Sequence, residues 1–294
     1  MASLNNVLLI GAGGNLGVPV LNAFLDSSYK VSVLSRKEST STFPDGVPVF
    51  KADYNDLSSV KAAMEGQDVV ICIVSGIAAG DQQVFIDAAV SAGVQRFFPS
   101  EFGPYPLEPG FAELNPWVLP HKISTVEYLR SKESQMSWTS LVTGGFFDWA
   151  MKVGFFKFDL ATKTVTLIDD GTSVFTATTL STVGKALIAC LNHAEETKNQ
   201  YVLISSFNVS QRDILEVVER VDSQRWNVEH VTSDWIIARG RSRLAAGDFA
   251  GIKDLTRGGA FGKPAMGDLR PHGLWNDKLG LPKEDLEQAV RDVL

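Results

Sequence analysis

Short, wholly apolar runs alternate along the chain with longer stretches whose apolar residues recur every three or four positions. Val7-Leu8-Leu9-Ile10 is the first such run; glycines follow it, and then a helical period over 16–25. Further strand-like runs fall at 30–34, 47–50, 69–74 and 95–98, with helical periods over 57–64 and 82–92 between the later ones. Uninterrupted apolar runs are the mark of parallel strands buried on both faces, and strands alternating with helices build a sheet covered on both sides. The expected fold class is therefore α/β: a Rossmann-type doubly wound parallel sheet over residues 1–145. A smaller α+β substrate lobe is expected over 146–294, with some of its segments interleaved into the sheet. Beyond 147 the alternation weakens, leaving strands at 164–168 and 201–204 and helices near 182–191, 212–221 and 234–246. The glycine-rich stretch 258–282 is expected to fold over the pocket as a lid before a last helix at 283–294.

Candidate chemistry begins where the first strand ends. Gly11-Ala12-Gly13-Gly14-Asn15-Leu16-Gly17 stands between an apolar strand and an apolar-period helix, the context in which a glycine cluster binds a dinucleotide. The glycines allow a tight turn and let a pyrophosphate approach the helix amino terminus, where unpaired N–H groups and the helix dipole favour negative charge. Gly11, Gly13, Gly14, Asn15, Leu16 and Gly17 are the expected phosphate-binding residues. The second strand ends in Ser35-Arg36-Lys37, where an NAD site would carry an acid for the ribose 2′-hydroxyl. These three suit a 2′-phosphate, with the Arg36 fork able to bond it twice, so the expected cofactor is NADPH. Asp53 is a candidate for the adenine edge or for capping the next helix, a role that suits Asp56 better. Ser75 and Gly76 open the loop where a ribose would pass.

The composition narrows the class without naming a reaction. A net charge of −7 and a pI near 5.2 give no basic footprint for nucleic acid. Cys72 and Cys190 stand alone in apolar segments, which excludes a disulfide framework, and no ligand spacing points to a metal. With no membrane-length apolar segment and a strand close to the first residue, a cytoplasmic protein, monomer or homodimer, is expected.

Six of the twelve prolines lie between Pro99 and Pro120, so this segment is expected to be a long loop at the carboxyl edge of the sheet. It opens with Pro99-Ser100-Glu101-Phe102-Gly103, where a nicotinamide would lie, and Ser100 is counted among its contacts. The helix that resumes at Pro120 carries Lys122 on its first turn. Burial and the positive end of the helix dipole would both lower the pKa of that lysine, fitting it for general acid/base work beside the cofactor. Tyr128-Leu129-Arg130-Ser131-Lys132 offers a competing Tyr-x-x-x-Lys pair, but no serine lies at the required distance upstream and Lys132 falls at the far end of the helix.

Fourteen of the 28 aromatic residues fall between Phe97 and Phe158, among them Phe102, Trp117, Phe146, Phe147, Trp149, Phe155 and Phe156. That density suits a flat aromatic substrate, with Phe102, Phe146, Phe147 and Trp149 as walls and Glu101 as a polar partner. Packing at the junction of the lobes is the plainer alternative for Phe146 and Phe147.

The glycine motif, the basic Arg36, Phe97-Phe98-Pro99-Ser100-Glu101-Phe102-Gly103 and the Lys122-x-x-x-Val126-x-x-Leu129 helix together resemble the NmrA-like, isoflavone-reductase-like branch of the atypical short-chain dehydrogenases, in a fungal version. The resemblance implies an NADPH-dependent reductase that delivers a hydride to an aromatic or polyketide-like small molecule, with Lys122 as acid/base. It also leaves two alternatives: a regulator that senses NADP(H) without reducing anything, whose members typically lack this lysine, and a redox-neutral isomerase or cyclase of secondary metabolism. One departure is Gly13, where the reductases often carry threonine.

Overall fold

The computed structural model describes residues 4–74 and 82–294. Seven parallel strands form the main sheet: β1 (Asn6–Ile10), β2 (Lys30–Arg36), β3 (Val49–Ala52), β4 (Val69–Cys72), β5 (Arg96–Phe98), β6 (Ser137–Val142) and, much later in the chain, β11 (Gln200–Leu203). Their spatial order is β11-β6-β5-β4-β1-β2-β3. The order reverses between β1 and β4, which opens a crevice at their carboxyl ends, the usual ligand position in such sheets.

The first apolar run is buried because its residues serve two cores in turn. Val7 and Leu9 face the layer of α1 (Gly17–Leu25) and α7 (Leu180–Asn192), packing with Val20, Phe24, Val183 and Leu187. Leu8 and Ile10 face the opposite layer, α2 (Leu57–Met64), α3 (Gln83–Ala92) and α5 (Leu119–Arg130), and pack with Val60, Ile86 and Val126. Side chains that alternate across a strand explain why four consecutive apolar residues are needed here.

The lobe is built on two small sheets. In one, β10 (Phe175–Thr178) pairs in parallel with β7 (Gly145–Phe146) and antiparallel with β12 (Phe207–Val209). In the other, β9 (Thr164–Ile168) lies between β8 (Phe158–Asp159) and β13 (Asn227–Val231). The helices α6 (Phe147–Lys152), α8 (Gln211–Asp222), α9 (Ser233–Ala245), α10 (Gly251–Phe261) and α11 (Leu286–Arg291) complete it around a core rich in phenylalanine. The structure modifies some expected bounds. The third strand lies at 49–52, shifted from 47–50, and the last helix covers only 286–291. The proline-rich loop contains one helical turn, α4 (Phe111–Leu114), whose Phe111 is anchored in the lobe core. Among the described residues, no helix is long and apolar enough to cross a membrane.

Candidate active site

At the end of β1 the chain turns so tightly that only glycine fits at two positions. Gly11 has φ of +86°, and a Cβ there would lie 2.3 Å from the Ile73 carbonyl oxygen. At Gly17 a Cβ would lie 2.2 Å from the Gly11 carbonyl oxygen, so the start of α1 rests directly on the turn. Among the described residues no side chain caps that helix and its first turn carries no acid, leaving its positive end for an outside anion. Gly13, Gly14 and Asn15 are exposed, whereas Leu16 is buried in the sheet core. A threonine at Gly13 would push on Ser41, since a Cβ there lies 2.9 Å from the Ser41 hydroxyl.

Gly11, Gly13 and Gly14 line a cavity of about 590 Å³ together with Ser35, Arg36, Ser39, Ser41, Asn55 and Val74. The donor set fits a phosphorylated nucleotide: glycine amides at one end and a guanidinium with three hydroxyls at the other. Lys37 is exposed and follows Arg36 outside this wall, its amide donating to the Ala52 carbonyl. The Asp53 carboxylate accepts from the Asn55 amide and side chain and so shapes the turn before α2; Asp56 caps that helix by accepting from the Ser58 amide. Ser75 and Gly76 lie outside the described residues.

The Ser100 hydroxyl donates to the carbonyl of Val74, at 2.5 Å, and the Ser100 amide donates to Gln82. Ser100 thereby fastens the start of the proline-rich loop to the wall of the nucleotide cavity. Lys122, one turn into α5, is only 6% exposed. Its Nζ donates to the main-chain carbonyl of Glu101 at 2.6 Å, and a Cβ on Gly103 would stand 3.6 Å from it. Burial lowers the lysine's pKa, with the charge of Glu101 acting in the opposite direction. Burial likewise pushes the Glu101 carboxyl up to about 7, against the pull of Lys122.

Gly103 also lines a second, smaller cavity of about 150 Å³, whose walls include Phe146, Trp149, Phe155, Phe175, Phe261 and Leu269. Thr176 and Thr256 are its two hydroxyl-bearing residues, and both hydroxyl protons are engaged, donated to Asn208 and to the Ile252 carbonyl respectively. Lys122 is not among the residues that line either cavity; it is bonded to the loop whose Ser100 is fastened to Val74 of the nucleotide cavity and whose Gly103 lines the apolar one.

Two expected wall residues and the expected polar partner stand elsewhere. Phe147 is wholly buried and packs against Phe156 and Phe207 in the lobe core, since the α6 turn that points Phe146 and Trp149 at the cavity points Phe147 inward. Phe102 packs on the sheet core. Glu101 is fully buried, with its carboxylate away from the cavity wall. The sequence reading did not single out Phe175, Phe261, Met266 and Leu269, which reach the cavity from distant segments. Tyr128 and Lys132 both bind Asp87 on α3, at 2.7 and 3.0 Å, a surface clasp on the outer helix layer. From the glycine-rich tail Met266 and Gly267 form part of the cavity wall, and His272 pairs with Glu108 of the proline-rich loop at 2.5 Å, its ring against Tyr105; the first residues of that stretch are the end of α10.

The sequence profile of the NmrA-like family matches residues 4–238. Relatives across the chain include the oxidoreductase aprR of Aspergillus flavus, 34% identical over 293 residues, covering 98% of both chains. The oxidoreductase poxI of Penicillium oxalicum is 32% identical over 292 residues, covering 96% of this chain and 92% of the relative. Among solved structures, an isoflavone reductase superposes with a TM-score of 0.81 at 19% identity, covering 99% of this chain and all of the other. A structure titled AtPrR2 with NADP+ and (+)pinoresinol also gives 0.81, at 18% identity, with both chains fully covered.

Proposed function

The chain belongs to the NmrA-like family, and on that footing we propose that it is an NADPH-dependent reductase of an aromatic or polyketide-like small molecule, with Lys122 as general acid/base. One observation carries the reading: a buried lysine with a lowered pKa is bonded to the loop whose Ser100 is fastened to a cavity suited to a phosphorylated nucleotide and whose Gly103 lines an apolar, aromatic-walled one. Arg36 and the hydroxyls of Ser35, Ser39 and Ser41 supply the donors a 2′-phosphate needs, and the Gly11 to Gly17 turn those for the pyrophosphate. The names of the fungal relatives and the NADP+ complex among the structural neighbours support the same choice.

When bound, the nicotinamide supplies a hydride. The protein's own residues orient the partners and manage the proton. Phe146, Trp149, Phe155 and Phe261 hold a flat apolar body and keep water from it, while Lys122 exchanges a proton with a phenol or carbonyl oxygen at the cavity mouth. A cytoplasmic location goes with this reading.

NADPH oxidation against a panel of phenolic and polyketide acceptors, measured for the wild type and for Lys122→Ala, tests it. The variant is expected to lose turnover and to keep its NADPH affinity. Retained turnover removes the lysine from the chemistry. NADPH binding without consumption by any acceptor would favour the sensor, and conversion of an acceptor without NADPH oxidation would favour the isomerase.

A further inference from the structure

Glu101 has an unusual position for a carboxylate. It is fully buried, and among the described residues neither Oε1 nor Oε2 has a hydrogen-bond partner. A buried acid is normally paired or bonded, because an isolated charge in an apolar interior costs far more than a bonded one. The group that answers it is Lys122, equally buried, whose ammonium is held by the main-chain carbonyl of the same glutamate. The backbone contact keeps the amine beside residue 101 while leaving the carboxyl free of any bond that would fix its charge.

We propose that Glu101 is the buried acid that sets the proton affinity of Lys122 through its charge, without a bond to the amine, a positioning residue whose charge state decides whether the amine meets the substrate as base or as acid. This inference deepens the reductase reading and rests on it for its purpose. Two arrangements of the pair carry the same proton count and no net charge: carboxylate with ammonium, and carboxyl with free amine. The apolar surroundings disfavour the first and the mutual attraction favours it, so the two effects oppose each other. Burial prevails on both sides, pushing the carboxyl up to about 7 and the lysine below its ordinary range. Tyr201 on β11 also feels Glu101, and burial holds its hydroxyl strongly protonated. Tyr105 from the loop and Glu127 and Arg130 from α5 act on that tyrosine. Tyr201 therefore contributes no charge to the exchange at neutral pH.

The test reads the lysine itself and needs no substrate. In protein carrying lysine labelled with 13C at Cε, the Lys122 resonance, assigned by its loss in Lys122→Met, is followed through a pH titration. In Glu101→Gln its midpoint is expected to fall by about one pH unit or more, a tenfold loss of proton affinity, because the attracting charge is gone. An unchanged midpoint in a folded Glu101→Gln protein overturns the proposal. A second measurement keeps the test open should that variant not fold. In Lys122→Met, the infrared band of a protonated carboxyl, assigned to Glu101 by its absence from Glu101→Gln,Lys122→Met, is expected to persist to higher pH than in the wild type; persistence only to the same pH refutes the pairing. Neither experiment depends on turnover, so the reductase reading and the pairing fail separately.

Discussion

A methyl group on Gly17 would stand 2.2 Å from the Gly11 carbonyl oxygen, a distance no Cβ tolerates, so Gly17→Ala must displace either the turn or the first turn of α1. The expected result is a loss of NADPH affinity of about tenfold or more by calorimetry, since the amides no longer converge on one phosphate. Arg36→Ala leaves the turn alone and removes the guanidinium from the other end of the cavity. It should weaken NADPH by about tenfold to a hundredfold, the worth of a charge-assisted bond pair, and leave NADH nearly unchanged. If NADPH and NADH weaken equally, Arg36 does not read the 2′-phosphate. These residues were legible in the sequence because a glycine turn and a strand end are local features, fixed by neighbours a few positions away. Glu101 was legible only as an acid in the right loop. That its carboxyl lacks a partner depends on packing from α5 and β11, far along the chain.

The helical hairpin of α9 and α10 shows how much an element depends on one charge. The two helices cross where Gly251 faces Gly240 so closely that a Cβ on the first would meet the second's carbonyl at 2.4 Å. Beside this crossing Asp254, wholly buried, accepts from Arg239 at 2.9 and 2.6 Å and from Arg243 at 3.0 Å, with Arg257 at 3.6 Å. Burial alone would raise the Asp254 carboxyl, but the arginine bonds prevail and hold it below the usual carboxylate range. A depressed acid stabilises the fold above the ordinary carboxylate pKa, and that contribution is lost as pH falls through the folded value. Asp254→Asn is expected to cost about 2–3 kcal/mol in chemical denaturation at neutral pH. That is less than a fully enclosed pair would cost, since Arg239 and Arg243 reach solvent. The difference from wild type should shrink toward acid pH; a constant difference would mean that packing, not charge, is what Asp254 supplies. Of this hairpin only α9 could be read from its period; α10 escaped, because Gly258 and Gly259 in its last turns read as the start of a glycine-rich lid. The strands β7, β8 and β12 could not, because two or three residues are too few to display alternation. The apolar cavity was hidden for a similar reason: Phe146 and Trp149 lie in one dense aromatic stretch, but Phe175, Phe261 and Leu269 come from separate segments that only the fold brings together.

For the molecule as a whole, the apolar runs foretold the parallel sheet well because nearly every residue of β1, β2 and β4 is buried, leaving little room for an ambiguous pattern. Cys72 and Cys190 belong to the two opposite faces of that sheet. Burial pushes both thiols up to about 12, so neither forms thiolate at neutral pH. Ellman's reagent should therefore leave both unmodified in the native protein and titrate two thiols after denaturation; rapid labelling of either in the native state would show that the sheet opens locally.

The order in which the sheet is completed has a consequence for synthesis. The strand β11 forms one edge of the main sheet and α7 covers the face beneath α1, yet both arrive after the first six strands and most of the lobe's small strands. A nascent chain emerging from the ribosome must hold Val7, Leu9, Val20 and Phe24 without their cover until residue 203 has cleared the exit tunnel. Translation leaves that greasy flank open for a long interval, and the cell's holding factors have their natural point of engagement there.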